Sequence, residues 1–215
     1  YLTVGTQPGL RVKPINLAAK EGARVSQFDD YWFHEKETVN LLQSGRDRWG
    51  EYLGFSGQIR LKAELPGLVP NSTALLRGAG IASAQVPTRL RWQVNGQAIG
   101  EQTQGTVSTY RYDLKAQRSE NSYTFSVGSA PPASFEIGIE FDKNGQSSAQ
   151  GYLDYAALQT KRQLRAYPTQ QIYHFLPGSE SSLTYLIQDV PADWQWWTIS
   201  DPLRPKSAPL QRNPD

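Results

Sequence analysis

The stretch HEKETVNLLQSGRDRWGEYLG, residues 34–54, packs His34, Glu35, Glu37, Arg46, Asp47, Arg48, Trp49 and Glu51 close together. His34-Glu35 opens like the zinc-protease pattern H-E-x-x-H, in which two imidazoles one helical turn apart hold the metal and the carboxylate serves as base. The pattern then fails, because Thr38 stands where the second histidine must be. The other histidine, His174, is far away in sequence, and both are read as structural or surface side chains. A serine triad lacks its G-x-S-x-G elbow. FDKNGQ at 141–146 has the outline of a calcium loop without the further acidic ligands. It reads as a hairpin turn at Asn144-Gly145. The chain has no cysteine, which removes disulfides, thiolate metal sites and a thiolate nucleophile. No catalytic residue, metal or cofactor is called for.

Trp92, Trp194, Trp196 and Trp197 raise a different chemistry, since exposed rings stack on sugars and jelly-roll folds include lectins. Trp92 falls on the apolar face of its segment, Trp194 and Trp196 share one face, and Trp197 lies on the other. Core filling accounts for most of them. A carbohydrate-binding β-sandwich module stands as the alternative reading.

The elements that would position these residues are legible downstream of residue 54. Apolar side chains alternate with polar ones at Ile59, Leu61, Ala63 and Leu65, at Leu90, Trp92 and Val94, at Tyr123, Phe125 and Val127, and at Phe135, Ile137, Ile139 and Phe141. A period of two marks strands with one buried face. Breaks at Asn95-Gly96 and Asn144-Gly145 are turn chemistry, because both residue types tolerate positive φ. GYLDYAALQTKRQL, LTYLIQDV and WQWWTIS continue the theme less cleanly. Helical caps joined to helical periodicity are missing. About ten strands are expected, with turns at the roughly 8–12 residue spacing of sandwiches. The fold class is all-β, a jelly-roll-like antiparallel β-sandwich with an irregular N-terminal lead-in.

Composition agrees. The chain has 215 residues, 38% hydrophobic and 11% aromatic, enough for a sizeable core. A net charge of +2 without a basic block argues against nucleic acid as partner. No apolar run approaches the ~20 residues that span a bilayer. The first residue is Tyr1 and methionine is absent, from which a processed piece of a longer protein is expected. The expected organisation is a lead-in at 1–54, a sandwich at 55–200 and a proline-rich linker at 201–215 toward a further domain.

Within the lead-in, SGRDRWGE has the form Ser-Gly-Arg-x-x-Trp-Gly-Glu, with Ser44, Gly45, Arg46, Trp49, Gly50 and Glu51 in place. The glycines permit backbone conformations that other residues resist. Arg46 has Asp47 and Glu51 nearby for an ion pair, and Trp49 is a natural anchor against the sandwich.

YWFHEKETVNLLQSGRDRWGEYLG resembles the segment near the N-terminus of PorU-type sortases of the type IX secretion system, relatives of the gingipain cysteine peptidases. GYLDYAALQTKRQL resembles their Y-L-D-Y strand, matched at Tyr152, Leu153, Asp154 and Tyr155. WTISDPLRP resembles their W-D-V-T-D-P-x-x-P segment, matched at Trp197, Asp201, Pro202 and Pro205. There Thr198 replaces Asp and Ile199-Ser200 replaces Val-Thr. The resemblance implies a sortase that removes C-terminal signal domains from secreted cargo and joins the cargo to a surface lipopolysaccharide. A cysteine thiolate with a histidine base would form the acyl-enzyme, and an amine would accept the acyl group. With no cysteine here, that peptidase domain would lie beyond residue 215, and His34 and His174 take no catalytic role. The matched residues, His34 and Glu35 among them, are family-signature or structural positions. The implied partners are the chain's own C-terminal peptidase domain, an outer-membrane β-barrel carrier protein and, through the parent, secreted cargo. The implied location is the surface of a Gram-negative bacterium, associated with the outer membrane.

Overall fold

The computed structural model describes residues 11–15, 22–40, 48–54, 57–176, 178–180 and 182–211. Ser44, Gly45 and Arg46 lie outside the described residues. Thirteen strands occur among them: β1 (Lys13–Pro14), β2 (Ala23–Val25), β3 (Gln27–Glu35), β4 (Gln58–Glu64), β5 (Thr73–Ser83), β6 (Thr88–Val94), β7 (Gln97–Gln104), β8 (Gln117–Ser126), β9 (Ser134–Asp142), β10 (Gln150–Gln163), β11 (Leu183–Tyr185), β12 (Trp196–Thr198) and β13 (Lys206–Ala208).

The eight long strands form two antiparallel sheets, ordered β3-β10-β5-β8 and β4-β9-β6-β7. Counting β3 to β10 as one to eight, the orders read 1-8-3-6 and 2-7-4-5. That is the doubled Greek key of a jelly roll. The alternation read from the sequence faces inward as expected: Leu90, Trp92, Phe135, Ile137, Ile139 and Phe141 fill the space between the sheets with Leu76, Leu153 and Leu158. Gly78 of β5 makes room for the largest of these, since a Cβ there would overlap the Trp92 ring.

Two expectations are corrected. Residues 27–35, placed in the lead-in, form β3, the first strand of the jelly roll, paired with β10 from Gln27↔Gln163 to Glu35↔Tyr155. Its inward positions hold Asp30 and His34 beside Phe28 and Trp32, and these polar groups break the apolar alternation that marks the other strands. Asn95-Gly96 does make the β6–β7 hairpin, with φ of 49° and 77°. Asn144-Gly145 also turns with positive φ, but the chain there passes from β9 to β10, which lie in different sheets. It is a crossover turn and not a hairpin. In it the Asn144 N–H donates to the Asp142 carboxylate, which also takes Arg91 at 2.6 Å.

Residues 164–211 extend beyond the jelly roll. β11 pairs in parallel with β2, and β13 lies between β12 and β1. The expected linker thus contributes a strand at 206–208. Leu164 and Tyr167 bury Phe28, with Tyr173, Phe175 and Ile187 packed around them. Arg162 sits beside this cluster almost without exposure, bonded to Asp30 (2.6 Å), Gln170 (3.1 Å) and the Pro66 carbonyl (2.6 Å) and flanked by the Phe28 and Tyr167 rings. One guanidinium therefore ties β3, the β4–β5 loop and the extension to β10.

Candidate functional site

After β3 the chain turns back, and residues 50–53 run along the half of β10 that β3 leaves free. Gly50 N–H donates to the Leu153 carbonyl (2.8 Å), Leu153 N–H to Glu51 (3.0 Å) and Leu53 N–H to Gly151 (2.8 Å). Gly50 suits this close approach, because a Cβ there would lie 3.0 Å from the Lys36 carbonyl and 3.2 Å from that of Leu153. This strap places Trp49 in a small cluster with Tyr152, Ile81, Ala116 and Val39, and Tyr52 packs on Tyr152 at 5.0 Å. Two of the three signature segments therefore meet in space.

Glu51 is the polar centre of the strap. One of its oxygens takes His34 Nε2 at 2.7 Å and Lys36 Nζ at 2.9 Å. Burial works to raise its pKa, but the Lys36 and His34 hydrogen bonds outweigh it and hold the carboxyl below the usual glutamate range. His174 lies elsewhere, its backbone bridged to Asp29 toward the other end of β3. Glu51 is thus the partner that orients His34, an arrangement that braces the strap.

The pairing of β10 with β5 slips between Leu153 and Tyr155. A bulge of this kind re-aims side chains. Leu153 and Ala156 point into the core, while Asp154 and Tyr155 both line the outer face of the β3-β10-β5-β8 sheet. Arg118 Nε donates to Asp154 at 2.9 Å, Arg118 Nη2 donates to Glu120 at 2.9 Å, and Arg77 Nε donates to Glu120 at 2.6 Å. Burial opposes the charge on Arg118, but Asp154 and Glu120 prevail and raise its pKa. The Tyr155 hydroxyl is pushed up by burial and by the charge of Glu120. Tyr31, Phe33 and Glu35 of β3 line a depression of about 590 Å³ together with Arg77, Arg118, Asp154 and Tyr155, and Glu120 bridges the two guanidiniums. Sequence reasoning singled out Glu35, Asp154 and Tyr155 but missed Tyr31, Phe33, Arg77, Arg118 and Glu120. Recognising residues 27–35 as a strand would have set Tyr31, Phe33 and Glu35 on one face.

The third signature segment lies in the extension. Trp197 is 52% exposed on β12, Trp196 packs on Tyr173 at 5.0 Å, and Trp194 is half-buried. Trp92 is fully buried in the core, as its place on the apolar face implies, and takes no part in any exposed surface. Asp201 accepts a hydrogen bond from Leu203 N–H at 3.0 Å, closing a turn that holds Pro202, and Pro205 follows half-buried before β13. Among the described residues no helix is long and apolar enough to cross a membrane.

No protein-family model matches the chain, and no curated protein matches it. Solved structures do. The crystal structure of dimeric latent PorU from Porphyromonas gingivalis aligns over 96% of this chain and 20% of its own, with a TM-score of 0.79 and 18% identity. The chain thus shares its fold with about a fifth of that structure's length. The CBM36-1 domain of a multidomain xylanase from the hindgut metagenome of Trinervitermes trinervoides aligns over 60% of this chain and 96% of its own, with a TM-score of 0.35 and 10% identity.

Proposed function

We propose that this chain is the non-catalytic jelly-roll region of a PorU-type sortase, exported to the cell surface, where it orients the peptidase domain or docks a partner of that enzyme. The observation that carries the reading is the fold agreement with PorU along nearly the whole chain, extension included. It is supported by the meeting of RWGE (48–51) and YLDY (152–155) at one strap-and-strand junction, where Trp49, Gly50, Glu51 and Tyr152 each have a packing or hydrogen-bonding duty. A thioester-forming peptidase needs a thiolate. This chain has none, so the nucleophile belongs to another domain of the parent. What the chain offers instead is an anchored exit: β13, the last strand among the described residues, pairs with β12 and β1. In the parent this would set a fixed geometry between sandwich and peptidase, with an outer-membrane carrier and cargo as the further partners.

The test is deletion of this region from the parent reading frame in the source bacterium, leaving the remainder in frame. Mass spectrometry of secreted cargo then reports removal of its C-terminal signal domain. Unprocessed cargo is expected while the peptidase domain remains folded and present. Normal processing and anchoring, or a parent frame without a cysteine peptidase, would sink the reading.

A further inference from the structure

We propose that the outer face of the β3-β10-β5-β8 sheet binds a neutral oligosaccharide. The site goes beyond the sortase reading and does not depend on it.

The shape comes from register. Across one row the sheet reads Phe33, Ala157, Arg77, Ser122. A ring and a guanidinium thus stand on either side of a methyl floor. The depression that results, about 590 Å³, is of the size that ligand sites occupy. The wall on β3 is aromatic. Tyr31 and Phe33 are 50% and 46% exposed, their rings nearly parallel at 6.0 Å, and Tyr155 continues the wall 5.8 Å from Phe33. The opposite wall is polar and ordered by its own contacts, from Arg77 through Glu120 and Arg118 to Asp154.

The charge selects the ligand class. The depression is lined by two guanidiniums, Arg77 and Arg118, and two carboxylates, Glu35 and Asp154, and both guanidiniums are tied to carboxylates, Arg77 to Glu120 and Arg118 to Glu120 and Asp154. An anionic ligand would have to displace a carboxylate already in place, and a cationic one would face the guanidiniums. A neutral pyranose needs neither. Its apolar ring face matches the aromatic wall. Its hydroxyls, donors and acceptors at once, match the spare N–H groups and lone pairs of the charged wall. A peptide adding as a strand would seek the free backbone of a sheet edge, whereas this face presents side chains.

The full chain is screened on an array of neutral and anionic oligosaccharides together with a proline-rich peptide, and the best neutral ligand is titrated by calorimetry. Binding of a neutral oligosaccharide is expected. Tyr31→Ala and Phe33→Ala should each weaken it about tenfold, the loss of one ring contact. Trp197→Ala, whose exposed ring lies on β12 outside the face, should leave the affinity unchanged. Circular dichroism of each variant should match the parent chain, because the replaced rings are only half-buried. Absence of neutral binding overturns the proposal. So does binding confined to anionic glycans or to the peptide, or affinity that survives removal of both β3 rings.

Discussion

Trp49, Arg162 and Glu51 show how single side chains hold the two ends of the chain to its centre. Trp49 is 4% exposed and shares its cluster with Tyr152. Trp49→Ala should cost about 3–5 kcal/mol, read as a shift in chemical denaturation, because a large ring leaves a cavity. Asp30 is the carboxylate that neutralises buried Arg162. Asp30→Ala leaves that charge with neutral partners only, and a loss of about 3 kcal/mol is expected in the same measurement. Glu51 brings pH dependence. Its folded pKa lies below the unfolded one, so its contribution is fully present above the ordinary glutamate value and is lost as pH falls through the depressed value. Glu51→Gln should therefore flatten the acid limb of the melting temperature against pH and leave the profile from neutral upward parallel to the parent's.

At the scale of elements, β3 decides whether the sandwich closes. It covers one edge of β10, supplies Phe28 to the cluster under the extension, and leads into the strap that brings Leu53 to the core. A chain beginning at residue 55, the boundary that periodicity suggests, would expose the β10 edge, and open edges invite association. It should aggregate or melt without cooperativity in circular dichroism. A chain beginning at Gly22 keeps β3 and should melt as one transition. β4, β6, β9 and the second half of β8 were readable because one of their faces is largely apolar, whereas β7, which buries Gln102 and Gln104, carries no such row. β3 was not, because Asp30 and His34 point the same way as Phe28 and Trp32, and both are satisfied by residues remote in sequence, Arg162 and Glu51.

For the whole molecule, the absence of cysteine sets the clearest limit. Mixed with a cargo protein that carries a C-terminal signal domain, the purified chain should leave the cargo at its full mass by mass spectrometry. Cleavage at a defined site that depends on the chain would require a nucleophile that none of the clusters described here provides. The extension, by contrast, ties the chain's two ends together through the β1–β13 and β2–β11 pairings. Those pairs are parallel and short, and the Phe28, Leu164 and Tyr167 cluster carries the packing beneath them.

Residue order alone determined the all-β class, the inward rows on β6 and β9, the turn at Asn95-Gly96 and the lack of a thiolate. Each of these depends on neighbours within a few positions or on composition. The tertiary structure decided the rest. Asp30 can sit in a buried row only because Arg162, 132 positions away, meets it there. The Asn144-Gly145 turn has the same local chemistry as Asn95-Gly96, yet it crosses between sheets, since strand partners are chosen by the jelly roll and not by the turn. Asp154 and Tyr155 share the outer face only because β10 bulges against β5. The depression exists only where Phe33, Ala157, Arg77 and Ser122, from four strands, fall into one row. A sequence displays alternation along a strand, but the register between strands is set by the packing of the entire sheet.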